Sequence, residues 1–139
     1  MKRTYIDANV LIAAFRGEDS VAQRALRVLD DPERQLVVSD YLRLEVLPKP
    51  KFHRCKEEVE FMESVLHKAE NVQSSSELTG KSLVFAEEYD MTPMDALHVG
   101  ASAVAAVDEF VTMEKPTKPM CRVSEINVKS LHSSTTETR

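Results

Sequence analysis

Residues 3–15, RTYIDANVLIAAF, set a single carboxylate, Asp7, between an apolar strand-forming run and an apolar helical one. Residues 4–6 (TYI) read as a short buried strand and residues 8–15 (ANVLIAAF) as a helix that Gly17 ends. A carboxylate at that junction is costly to desolvate unless it has a partner. A strand that ends on an acid and turns at once into a helix opens a β-α unit, and the rest of the chain continues the alternation.

Asp19 or Ser20 is the expected cap of a helix that carries Ala22, Ala25, Leu26 and Leu29 on one side until Pro32 breaks it. Residues 34–39 (RQLVVS) form a second strand, and residues 40–47 (DYLRLEVL) a helix stopped by Pro48 and Pro50. An amphipathic helix is expected from Lys51 to Glu70, with Val59, Met62, Leu66 and Ala69 at helical spacing. Residues 71–73 (NVQ) fit a third strand. Ser76 is the expected cap of a helix with Leu78, Phe85, Ala86 and Tyr89, and Thr92 caps another, TPMDALHVGASAVAA, with Pro93 at its first position. Residues 109–112 (EFVT) and 124–128 (SEINV) complete the strands. This order predicts an α/β fold, a three-layer α/β/α sandwich around a central parallel sheet of about five short strands with right-handed crossovers. Residues 1–130 are read as one domain and 131–139 as a flexible tail.

At 139 residues, with 42% hydrophobic and 29% charged residues, the chain has the composition of an ordinary globular domain. A net charge of −5 argues against indiscriminate nucleic-acid binding and leaves room for a local basic patch. Cys55 and Cys121 form no CxxC or Cys/His grouping, so neither a zinc site nor a disulfide framework is expected, and the reducing cytoplasm is the expected compartment. No apolar run has the length of a membrane span, and Asp7 and Asn9 interrupt the N-terminus as a signal peptide. Gly17, Gly80 and Gly100 build no phosphate-cradling loop, which argues against P-loop and dinucleotide-binding enzymes.

In parallel sheets ligands gather at the carboxyl ends of the strands, and Asp7 stands where the first strand ends. Other acids fall near expected strand ends: Glu45 on the helix after strand two, Asp95 at the start of a small-residue helix, Asp108 and Glu114 on either side of EFVT. Each has a structural reading as well. Asp7 can cap a helix, Asp95 can belong to a capping box with Thr92, Glu45 can face solvent, Asp108 can serve a turn, and Glu114 can be a loop charge. As a set they share one kind of location. Brought together, such carboxylates raise one another's pKa unless a cation neutralises them, and hard oxygen donors suit Mg²⁺ or Mn²⁺. One or two such ions activate water and stabilise charge developing on a phosphodiester.

With those motifs in place, the sequence resembles the PIN-domain nucleases of the virulence-associated-protein C type. YIDANVLIAAF resembles their opening motif, SDYLRLEVL their second, and MTPMDALHVGASAVAAVDEFVTMEKP their third and fourth, so the likeness spans nearly the whole chain. It implies a metal-dependent endoribonuclease site built from Asp7, Glu45, Asp95 and an acid after strand four, often in a homodimer. It also implies that the chain is the toxin of a toxin–antitoxin pair held inactive by an antitoxin protein. The family usually has aspartate two residues after the strand-four threonine, Thr112; here the residue is Glu114, one methylene longer, and it is preferred to Asp108, the alternative fourth acid, which precedes the strand and should lie at its opposite end.

Around that centre, Asn9 is placed to orient Asp7 or a water, or simply to start a helix. His98 lies one helical turn beyond Asp95 and is suited to steady a carboxylate, approach substrate or pack in the core. Ala96, Gly100 and Ala103 predict close approach of that helix to the sheet. Residues 48–56 (PKPKFHRCK) hold Lys49, Lys51, Arg54 and Lys56 around Phe52 and His53, a pattern suited to phosphates and stacked bases of single-stranded RNA or to a solvated helix start. Arg16, Arg43, Lys115 and Lys118 are further rim candidates. Two other functions remain: a PIN-like module that binds RNA or protein without efficient cleavage, and an aspartyl phosphatase, disfavoured because Asn9 stands where its second aspartate belongs.

Overall fold

Alternation along each strand decides which face of the sheet a residue covers. The computed structural model describes residues 1–132. Its strands are β1 (Lys2–Ile6), β2 (Arg34–Ser39), β3 (Glu70–Val72), β4 (Glu109–Thr112) and β5 (Val128–Ser130), all parallel in the order β3-β2-β1-β4-β5. Ile6, Leu36, Val38 and Val111 point to one face, where helices α1 (Ala8–Arg16), α2 (Asp19–Leu29), α3 (Asp40–Val46) and α5 (Lys56–Lys68) bury Leu11, Val28, Leu42 and Met62. Tyr5, Val37 and Phe110 point to the other, against Leu78 and Phe85 of α6 (Ser76–Tyr89) and Val99 of α7 (Pro93–Ala105). The result is the expected α/β/α sandwich with a five-stranded parallel sheet.

The connection that matters runs from β3, at one edge, back across the sheet to β4 on the other side of β1. Strand order reverses there, so a crevice opens at the carboxyl ends of β1 and β4. Asp7 follows β1 directly, and its N–H donates to Val111 O at 3.0 Å. At the opposite end of the same two strands Asp108 accepts the N–H of Arg3 at 2.8 Å. That position removes Asp108 from the crevice and leaves Glu114 as the acid beyond β4.

Several boundaries differ from those expected. The helix predicted from Lys51 to Glu70 is two: α4 (Pro48–Phe52) and α5, separated at Arg54, whose φ is 57°. Pro48 and Pro50 end α3 as predicted, yet Pro48 then begins α4, since proline at a first position forfeits no intrahelical hydrogen bond. Ser75, rather than Ser76, caps α6 through its hydroxyl, which accepts Leu78 N–H at 3.1 Å. Neither Asp19 nor Ser20 caps α2; Glu18 precedes it without a side-chain bond. The last strand is Val128–Ser130, so residues 124–127 of the predicted SEINV strand lie outside it. Packing continues through Leu131, which lies against the α1–α2 core and whose N–H donates to Thr112 O at 2.8 Å. Of the tail expected at 131–139, residues 131 and 132 thus belong with the packed domain or its edge, and 133–139 lie outside the described residues.

Gly100 makes a close approach to α6 instead of the sheet. A Cβ there would lie 2.2 Å from Ser82 Oγ and 3.2 Å from Leu78 O, so only glycine lets α7 pack on α6 at this distance.

Candidate active site

Three elements deliver the centre of the site. Asp7 ends β1 and also caps α1, its Oδ1 accepting Ala8 N–H at 2.8 Å. Its Oδ2 accepts the Thr112 hydroxyl at 2.8 Å from the end of β4. The capping reading of Asp7 is seen in the first bond, and the second ties the carboxylate to the end of β4. Glu45 comes from α3, and its Oε1 lies 2.5 Å from His98 Nε2 on α7. His98 is the buried partner and Glu45 the partly exposed one, with side chains 1% and 35% accessible.

Among the described residues, one group of three metal-ligating side chains converges: donor atoms of Asp7, Glu45 and His98 all lie within 4.8 Å of one another. Asp95 and Glu114 are outside that trio. Asp95 sits half-buried in the first turn of α7, its N–H donating to Thr92 Oγ1 at 3.4 Å. Glu114 turns toward Asn9, whose Nδ2 donates to Glu114 Oε2 at 3.3 Å, and its Oε1 is 4.0 Å from Lys118 Nζ. Asn9 also accepts Met113 N–H at 3.0 Å and reaches Thr112 Oγ1 at 3.3 Å. It ties the β4 end to α1, a larger role than starting a helix.

The electrostatics are those of acids held together. Burial pushes the Asp7 carboxyl above the usual range, His98 and the Thr112 hydroxyl pull it back, and Asp95 adds to the rise. Burial also raises Asp95, with Lys118 opposing and Glu114 adding. Cys121, in the short 3-10 helix Pro119–Arg122, feels the same charges: burial and then Glu114, Asp7 and Asp95 raise its thiol. The carboxylates of Asp7 and Glu45, within 4.8 Å of each other and the first buried and destabilised as an anion, fit a divalent cation, with the His98 imidazole beside them bonded to Glu45.

The expected basic rim divides. Arg16 pairs with Glu58 at 2.7 Å and Lys51 with Glu63 at 3.3 Å. Lys49, Arg54, Lys56 and Lys115 are exposed. Arg16, Lys49, His53 and Glu45 line one cavity of about 410 Å³, so the start of this basic stretch borders Glu45. Arg43 is turned away, its Nε donating to Asn71 Oδ1 at 3.1 Å. Sequence reasoning missed Tyr5 and Ser39, which stand behind His98. A tyrosine in a wholly buried strand needs a partner for its hydroxyl, and that was the available signal.

No protein-family profile matches the chain, and no curated protein does. Solved structures do. A toxin–antitoxin complex from Klebsiella pneumoniae superposes with a TM-score of 0.73 at 20% identity, over 91% of this chain and 96% of that one. VapBC2 from Rickettsia felis, bound to a DNA fragment from its promoter, gives 0.70 at 14% identity over 92% and 98%. VapC20 from Mycobacterium tuberculosis, described as a sarcin–ricin loop cleaving toxin, gives 0.59 at 10% identity over 88% and 98%. The fold is PIN-like. Likeness at these identities establishes the fold, and the PIN-like architecture puts the Asp7, Glu45 and His98 trio in the crevice where strand order reverses.

Proposed function

We propose that this PIN-like protein is a metal-dependent endoribonuclease that hydrolyses RNA phosphodiester bonds, and that it acts as the toxin of a toxin–antitoxin pair. The observation that carries this reading is the convergence of Asp7, Glu45 and His98 within 4.8 Å at the carboxyl ends of β1 and β4. The similarity of the fold to toxins of such pairs supports the toxin assignment.

Asp7 and Glu45 hold Mg²⁺ or Mn²⁺, and Asp95 and Glu114 supply the remaining carboxylates. Such an ion, when bound, lowers the pKa of water and offsets charge on the phosphoryl oxygens. Thr112 and Asn9 keep Asp7 and Glu114 oriented. Lys49, Arg54, Lys56 and Lys115 hold the backbone of single-stranded RNA, while exposed Phe52 offers a stacking surface. Cytoplasmic RNA is the substrate; an antitoxin protein and a second copy of the chain are the partners. Among the described residues no helix is long and apolar enough to cross a membrane.

The test is cleavage of single-stranded RNA with Mn²⁺ by wild type and by Asp7→Asn. Loss of cleavage in Asp7→Asn with RNA binding retained supports the enzyme. Binding that needs no metal, with no cleavage by wild type, reduces the chain to a binding module.

A further inference from the structure

Behind Glu45 the buried polar atoms form an unbroken hydrogen-bonded row. Ser39 Oγ accepts Leu42 N–H at 3.2 Å. Tyr5 OH lies 2.7 Å from Ser39 Oγ and 2.7 Å from His98 Nδ1. His98 Nε2 then meets Glu45 Oε1 at 2.5 Å. Ser39 and Tyr5 are 0% exposed and His98 1%, so only the Glu45 end reaches solvent.

Counting hydrogens sets the direction of the row. Ser39 Oγ already takes the Leu42 N–H, and its own hydrogen has the Tyr5 oxygen as its acceptor among the described residues. Tyr5, whose phenol burial keeps protonated, then gives its hydrogen to His98 Nδ1. The imidazole proton is left on Nε2, aimed at Glu45. Reversing the row strands the Ser39 hydrogen without an acceptor.

We propose that Tyr5 and Ser39 are positioning residues that, through the Nε2–H tautomer of His98, hold the Glu45 carboxylate ready for the divalent ion it shares with Asp7. This rests on the metal-site reading above. Glutamate has three rotatable bonds, and Glu45 sits on a short, partly exposed helix, so an oriented carboxylate needs an anchor. A histidine that merely fills the core requires satisfied nitrogens and nothing more. The row requires that a change at Tyr5, which makes no hydrogen bond to Glu45, reach the metal.

Two measurements test it. In nitrogen-15 spectra of metal-free protein, His98 is expected as the Nε2–H tautomer, with the Nδ1 resonance moving in Tyr5→Phe to that of an imine nitrogen that accepts no hydrogen bond. By calorimetry, Tyr5→Phe and Ser39→Ala are expected to weaken Mn²⁺ binding about 10-fold and His98→Ala up to about 100-fold, with partial rescue in His98→Gln. Val37→Ala, on the same sheet face without a polar atom, controls for lost stability and is expected to keep wild-type affinity. An Nδ1–H tautomer in wild type overturns the proposal. So does Mn²⁺ affinity in Tyr5→Phe within twofold of wild type, or an equal loss in Val37→Ala. If wild type binds no Mn²⁺, the metal-site reading falls and takes the role of Glu45 with it, whereas the tautomer still judges the row itself.

Discussion

Asp7 accepts a 2.8 Å hydrogen bond from the hydroxyl of Thr112, 105 positions further along the chain. The same hydroxyl oxygen accepts Glu114 N–H at 3.1 Å, so Thr112 orients one acid and anchors the backbone of another. Thr112→Val keeps the shape and removes both bonds. It is expected to weaken Mn²⁺ binding 10- to 100-fold, roughly the effect of losing an outer partner of a ligand. Stability is expected to fall by about 1–2 kcal/mol. Calorimetry and urea unfolding read the two effects separately.

Burial raises the Asp7 carboxyl from its ordinary 3.8, which fixes the sign of its pH dependence. The folded protein binds this proton more tightly than the unfolded chain does. Stability therefore falls as pH rises from 3.8 to the raised folded value, and the full cost persists above it. Metal-free Asp7→Asn should be at least as stable as wild type at neutral pH, with the difference narrowing as the solution is acidified through that window. Adding Mn²⁺ at about 100 times its Kd should stabilise wild type by about 2.7 kcal/mol and leave Asp7→Asn unmoved. Thermal unfolding with and without metal reads this.

At the far end of the sheet, buried Glu109 accepts Arg34 Nε and Thr4 Oγ1, each at 2.7 Å. Burial pushes its carboxyl up, but Arg34, Thr4 and Lys2 outweigh that and leave it low. Its other oxygen, Oε1, has no hydrogen-bond partner among the described residues. Arg34→Ala leaves the buried charge only Lys2, 3.8 Å from Oε1, and the Thr4 hydroxyl, and is expected to cost about 3 kcal/mol. Arg34→Met combined with Glu109→Leu should recover most of that loss in urea denaturation.

Gly100→Ala places a Cβ 2.2 Å from Ser82 Oγ and 3.2 Å from Leu78 O; turning the Ser82 hydroxyl relieves the first and breaks its bond to Leu78 O, while the second makes the helices give by a few tenths of an ångström. Overpacking of this kind costs about 1–3 kcal/mol. Ser82→Ala in the same chain removes the nearest atom and should restore part of the loss. Equal stability of Gly100→Ala and wild type in denaturant would show that α6 and α7 are less closely packed than described.

Element types were legible because their signals are local. Thr92 with Pro93 marked the start of α7, where the Thr92 hydroxyl accepts the Asp95 N–H. Apolar periodicity marked α5 but overran its start, since nothing in the composition of residues 51–55 announces the left-handed Arg54. The sequence ranked Asp95 above His98, both on one face of α7. In the structure Asp95 occupies the half-exposed first turn and His98 the buried next one, against Tyr5 and Glu45. Asp108 and Glu114 flank the same strand, and their order along it already set them at opposite ends, as the Arg3 bond to Asp108 shows.

By itself the sequence determined the alternation of strands and helices and the placing of acids at strand ends, because periods, caps and prolines act between near neighbours. Tertiary structure alone decided which of those acids meet, since that depends on β4 crossing back to lie beside β1. It also decided that a tyrosine and a serine from two adjacent strands should stand behind the histidine. Side chains so far apart along the chain share no local signal; parallel pairing and the reversal of strand order bring them to one crevice.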